Sequence, residues 1–211
     1  MAETAISRTA VSWTPRGAWA GIAQAGQIGA AGPAGVTATL LDGFGLATLI
    51  AAPGGTAALS GLVESRAGIA LPATPKIASG ASHDAIWSGP EQWLLRATAR
   101  DGFAGLLEAL STQAAVSDQS DARAAVRLSG SCVRNVLAKG VMLDLHPSAF
   151  AVGDVALTSI AHVGVHLWRL ADGPEGSVFE IMVARSMAGS FWSWFAASAA
   201  EFGCRVSTGR G

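Results

Sequence analysis

The stretch SDQSDARAAVRLSGSCVRNVLAKGVMLDLHP, Ser117 to Pro147, decides how the chain is read. Asp118 to Asp121 is polar and turn-like, and Ala124 to Leu128 is the short apolar run of a buried strand. Gly130 and Ser131 break that run, and Ser131 stands where an N-cap belongs, ahead of a helix beginning near Cys132. Val133, Val136 and Leu137 fall at the i, i+3, i+4 spacing of one buried helix face. Lys139 then sets a cation at the negative end of the helix dipole, and Gly140 is free to adopt a left-handed C-cap. Asp144 to Pro147 turns the chain away, because proline disfavours helix at the residue before it. The unit is a strand, a tight turn, a short helix and a turn, with no nucleophile set beside a base.

Upstream of it, Leu46 to Ala52 reads as a strand, and Pro53 to Gly55 turns it into a helix with Leu59, Leu62 and Val63 on one face. Gly68 and Pro72 end that helix. His83 to Trp87 and Gln92 to Thr98 are strands joined by a Gly89-Pro90 turn. Asp101 is placed to cap a helix whose Phe103, Leu106, Leu107 and Leu110 share one face, and Val116 leads into the central stretch. Downstream, Val155 to Leu170 is long enough for one strand or a bent pair. Ala171 to Gly176 is a hairpin turn, and Val178 to Val183 alternates as a strand. Ser186 is placed to cap a last helix with Phe191, Trp194, Phe195, Ser198 and Phe202 on one stripe; Gly203 ends it and a short tail follows. This order predicts an α+β fold of two ferredoxin-like split βαβ halves, about 36–121 and 122–211, sharing one core within a single domain.

Residues 1–35 are the least patterned. Gly21, Gly26, Gly29 and Gly32 punctuate them, and the Gly26, Gly29, Gly32 spacing precedes rather than follows the first clear strand, which argues against a dinucleotide fingerprint. An arm, flexible or draped over a partner, is expected. The formal charge of -1 and pI near 6.4 exclude the basic footprint of a nucleic-acid binder. Only 14% of the 211 residues are charged, so a partner is expected to cover part of the surface. Cys132 and Cys204 are distant in sequence and read as buried thiols in a reducing compartment. The charge-free intervals Arg16 to Asp42 and Asp42 to Glu64 lack the roughly 20 strongly apolar residues of a membrane span. A secretory signal is equally unsupported, since Gln24 and Gln27 interrupt the apolar run. The expectation is a cytoplasmic protein bound to neither membrane nor nucleic acid.

Candidate chemistry is thin. His162 and His166 would share a metal if helical, but on a strand they lie about 13 Å apart along the chain. Asp144 and His146 suggest an acid–base pair, yet Pro147 favours a turn in which Asp144 bonds local backbone. Asp118, Ser120 and Asp121 read as turn chemistry. Gly130-Ser131 resembles a phosphate cradle but has no lysine in P-loop spacing. No catalytic, cofactor-binding or metal-binding residue is assigned. The tryptophans stand out instead. Trp194 lies on the apolar stripe of the last helix, Trp192 lies off it, and Trp13 and Trp19 sit in the glycine-punctuated arm. Trp192, Trp13 and Trp19 are therefore read as interface anchors.

The motifs GPEQWLL at 89–95, DQSDAR at 118–123, VRLSG at 126–130, VLAKG at 136–140, DLHP at 144–147, SIAHVGVHLWR at 159–169, FEIMVARS at 179–186 and SFWSWF at 190–195 carry a family likeness. Over residues 40–203 the chain resembles the gamma subunit of heterotetrameric sarcosine oxidase. More distantly it is similar to the folate-binding domain of the glycine-cleavage T protein, an aminomethyltransferase. There a Gly-Pro turn opens the helix after the strand; here the turn is Gly130-Ser131, and the remainder of an aminomethyltransferase is missing. The resemblance implies a non-catalytic subunit of a complex that oxidatively demethylates a secondary N-methyl amine such as sarcosine. It implies that FAD, FMN, NAD and tetrahydrofolate belong to larger partner subunits, and that a separate small subunit binds zinc. The small subunit of N-methylglutamate dehydrogenase and a stand-alone folate-binding module are the alternatives.

Overall fold

The computed structural model describes residues 16–210, so Trp13 lies outside the described residues. The strands are β1 (Gly26–Ile28), β2 (Val36–Asp42), β3 (Gly45–Ala51), β4 (Ile77–Ser79), β5 (His83–Gly89), β6 (Gln92–Ala97), β7 (Ala114–Asp118), β8 (Arg123–Ser129), β9 (Val155–Ile160), β10 (Val163–Gly173), β11 (Gly176–Ala184) and β12 (Cys204–Arg210). The helices are α1 (Thr56–Ala67), α2 (Phe103–Leu110), α3 (Val133–Leu137) and α4 (Ala188–Ala199). One sheet has seven strands in the order β1-β12-β2-β8-β11-β10-β9; the other has five, β4-β5-β6-β3-β7.

Strand alternation sorts the side chains into layers. On β8, Ala124, Val126 and Leu128 pack under α3 and α4, while Ala125 faces the second sheet. On β6, Trp93, Leu95 and Ala97 pack under α1 and α2, while Leu94 faces the first sheet. The result is helix, sheet, sheet, helix. Leu41, Phe44, Leu46, Ile86, Leu94, Val155, Trp168 and Met182 fill the space between the two sheets, and β2, expected in the first half, lies in the seven-stranded sheet with the strands of the second. At one corner the sheets are stitched directly: Ile77 N–H donates to Gly153 O (2.9 Å) and Val155 N–H to Pro75 O (3.0 Å).

Several local expectations are corrected. Ser131 does not cap α3: Cys132 occupies the N-cap position without a side-chain bond, and its N–H donates to Gly35 O at 2.9 Å. Gly130 sits at φ 113°, and a Cβ there would come within 2.4 Å of Gly35 O. The close approach to the chain leading into β2 needs glycine. Gly140 does not form a left-handed cap; a Cβ there would lie 2.6 Å from the Trp194 ring, so the glycine makes room for indole. Gly102 (φ 74°), not Asp101, precedes α2, and Ser186 lies in a 3-10 turn before α4, which begins after Met187. Val155 to Leu170 is the bent pair, β9 and β10, turning through Ala161 (φ 46°) and His162 (φ 68°). The short tail is β12, paired parallel with β2 and antiparallel with β1.

Candidate functional site

The arm and the last helix meet. Trp19 is buried, its Nε1 donates to Ala125 O at 2.8 Å, and its ring centroid lies 5.7 Å from that of Trp192. Trp192 in turn lies 5.3 Å from Phe195 and is 8% exposed. This corrects the expectation that Trp19 and Trp192 are left for a partner to cover: each covers the other within the chain. The buried face of α4 is Phe191, Trp192, Phe195, Ser198 and Ala199, with Trp194 on its flank against Gly140. A helix clasped between a sheet and a returning arm buries a wider arc than the narrow stripe read from its sequence.

The candidate polar residues have local tasks. His162 sits in the β9–β10 turn, while His166 projects between the sheets, with Nε2 3.0 Å from Ser88 Oγ on β5. Asp144 Oδ1 accepts the His146 N–H at 2.8 Å, and His146 Nδ1 lies 2.7 Å from Ser148 Oγ, a self-contained turn. Asp118 Oδ1 accepts the Ser120 N–H (2.8 Å), and Ser120 Oγ accepts the Leu46 N–H (3.0 Å). Asp121 pairs with Arg100 at 2.9 Å. Among the described residues no three His, Cys, Asp or Glu groups gather as metal ligands. Cys132 and Cys204 are free thiols, and burial pushes the Cys204 thiol up to about 11, which leaves it unreactive.

The feature that sequence reasoning missed lies between the sheets. Glu180 on β11 is fully buried and takes Arg96 of β6 on one oxygen. Its other oxygen accepts from Arg127 Nη2 at 3.1 Å and Nε at 3.3 Å. Arg96 also grips Asp84 of β5 through Nε (3.0 Å) and Nη2 (2.6 Å), and its guanidinium lies 5.7 Å from the Trp168 ring centroid. Desolvation works against the Arg96 charge, but Glu180 and Asp84 more than offset it and hold the guanidinium more basic than usual. The four charges span both halves, and Arg96 and Glu180 are 84 positions apart. The nearest sequence signal is a glutamate inside FEIMVARS, on a strand whose neighbours are all apolar. Beside this cluster, desolvation and then the nearby Arg123 charge lower His166 to about 4.

The arrangement is a structural tie: its charges neutralise one another and Glu180 has no path to solvent. Residues 51–201 match the sarcosine oxidase gamma subunit family. The chain belongs to that family. The gamma subunit of sarcosine oxidase from an Arthrobacter species is 38% identical over 89 residues, 41% of this chain and 44% of that relative. The corresponding subunit of Corynebacterium sp. strain U-96 is 33% identical over 128 residues, 59% of this chain and 62% of that one. The alignments thus span less than two thirds of the length of these gamma-subunit relatives. A chain of the heterotetrameric sarcosine oxidase from Corynebacterium sp. U-96, solved with pyrrole 2-carboxylate, superposes with a TM-score of 0.71 at 29% identity, covering 82% of this chain and 87% of that one. The glycine cleavage aminomethyltransferase T of Bartonella henselae shares the fold alone, at TM-score 0.57 and 13% identity, covering 82% of this chain and 48% of that one. Among the described residues of this gamma-family chain, no helix is long and apolar enough to cross a membrane.

Proposed function

We propose that this chain is the non-catalytic gamma subunit of a multisubunit, flavin-dependent sarcosine oxidase, supporting assembly of the complex that demethylates sarcosine oxidatively to glycine. The observation that carries the reading is the family match over residues 51–201, joined to a fold shared along 87% of a chain from a heterotetrameric sarcosine oxidase. The interior supports a non-catalytic role, because its buried charges are engaged in holding two sheets together. On this reading the flavins, the nicotinamide dinucleotide and folate sit on larger subunits, zinc sits on a small one, and the complex is cytoplasmic, where the free Cys132 and Cys204 thiols persist.

Co-expression with the other subunits and affinity capture on this chain tests the reading. Retention of flavin-bearing subunits is expected. The chain purified alone is expected to be colourless and to release no peroxide with sarcosine. A stoichiometric yellow cofactor on the isolated chain, or no retained flavoprotein, overturns the proposal.

A further inference from the structure

Cations are few in this chain, 14 Lys and Arg in 211 residues, yet four of them line one cavity of about 890 Å³. Arg16, Arg100, Arg185 and Arg210 converge there with Asp42 and Asp121, where strand ends of both sheets meet. Asp121 pairs with Arg100, whose Nε and Nη2 also donate to Phe44 O (3.0 Å) and Ser120 O (2.8 Å). Arg185 is fixed by carbonyls alone, those of Asp121 (3.3 Å), Arg16 (2.8 Å) and Gly17 (3.4 Å). Among the described residues, Arg16, Arg185 and Arg210 have no carboxylate partner. Arg185 is thus positioned but not neutralised, and Arg16 and Arg210 line the same cavity.

The walls say what such a cavity takes. Small-molecule sites are mostly apolar with a few polar groups. Here the lining among the described residues is Arg, Asp and Gly, and the cavity opens to solvent. An excess of arginine over aspartate, four to two, on an otherwise charge-poor surface instead fits electrostatic complementarity between proteins, and arginine forks suit carboxylates. We infer that this cavity docks an acidic, carboxylate-bearing segment of another subunit of the complex. The inference rests on the subunit reading above and adds where assembly is made and by what chemistry.

The test uses the co-expressed complex. The double variant Arg16→Glu/Arg210→Glu reverses two cavity charges and keeps the backbone carbonyls that hold Arg100 and Arg185, Arg16 O among them. Arg66→Glu, on the exposed last turn of α1, makes the control. Affinity for the flavin-bearing subunits is measured at low and high sodium chloride, with thermal melting of the chain as a check on folding. At low salt the double variant is expected to bind about tenfold more weakly or worse, with a flattened salt dependence, while Arg66→Glu behaves as wild type and melting is unchanged in both. Wild-type affinity and salt dependence in the double variant overturn the inference and leave the subunit reading standing. If wild-type chain captures no flavoprotein, both fall. Intact assembly, with pyrophosphate raising the melting temperature of wild type but not of the double variant, assigns the cavity to a small anion and also overturns the docking.

Discussion

The two faces of strand β11 are built from different chemistry. Phe179, Ile181 and Val183 point toward α3 and α4 into a largely apolar layer. Glu180 and Met182 point the other way, where a buried carboxylate holds two arginines between the sheets. Apolar packing holds each half to its own helices and tolerates volume-conserving change. The ion cluster acts only when both halves are in register, because a one-residue slip of β11 would drive Glu180 into the apolar layer. The outer faces therefore supply cohesion, and the inner face fixes how the halves sit against each other.

Breaking the inner face has the largest expected effect. Glu180→Ala strands Arg96, 4% exposed, and half-exposed Arg127 without their shared acid, and is expected to cost about 5 kcal/mol. Replacing Arg96, Asp84 and Glu180 together by apolar residues of similar volume is expected to recover most of that loss. Urea denaturation of the three proteins checks both. A loss under about 1 kcal/mol for Glu180→Ala would show that the apolar layer alone sets the register.

On the outer face, Trp192→Ala opens a cavity against Trp19 and Phe195 and is expected to cost about 3 to 4 kcal/mol. Trp19→Ala should be partly redundant with it, with a coupling of about 1 kcal/mol in a double-mutant cycle. An unchanged melting temperature for Trp192→Ala, with assembly weakened, would restore the view of this indole as a docking residue.

The inner face should also reveal itself in pH. His166 binds its proton only near pH 4 when folded but near its ordinary 6.5 when unfolded. Above pH 6.5 both states are neutral and nothing is lost. As pH falls from 6.5 through about 4 the unfolded chain takes up the proton first, and stability drops by about 3 kcal/mol. His166→Gln is expected to remove that portion of the acid destabilisation, seen as urea midpoints that differ less between pH 7 and pH 4.5 than those of wild type.

These contrasts mark what a sequence can carry. The spacing of Phe103, Leu107 and Leu110, the Gly89-Pro90 hairpin and the strand at Ala124 to Leu128 are local patterns, and each appears as read. Strands β2 and β12 went unread because VTATLLD lies in a stretch of small residues and CRVSTGR alternates only briefly; their pairing joins residues 168 positions apart. The face of α4 was misphased for a related reason: its cover comes from Trp19, far upstream. Arg96, Asp84 and Glu180 each look like ordinary strand-face charges until the sheets are stacked. Local periodicity reports which residues turn inward, not what they meet there.

The smallest effect comes from a pair that joins the same two sheets at their stitched corner. Lys76 bonds Asp154 across the β4–β9 junction, with side chains 48% and 22% exposed. Burial tends to raise the Asp154 carboxyl, but the bonds from Lys76 and the Ala151 N–H outweigh it and leave the group below the usual range. Its contribution is present above the ordinary carboxylate range and is lost as pH falls through the lowered value. Water and salt screen this pair, whereas they do not reach Glu180. Lys76→Ala is expected to cost under about 1 kcal/mol in low salt and nothing measurable in 1 M sodium chloride. The loss from Glu180→Ala should be nearly the same in both. Equal salt sensitivity of the two variants would mean that water reaches the inner cluster, and the division between a screened corner and a sealed interior would not hold.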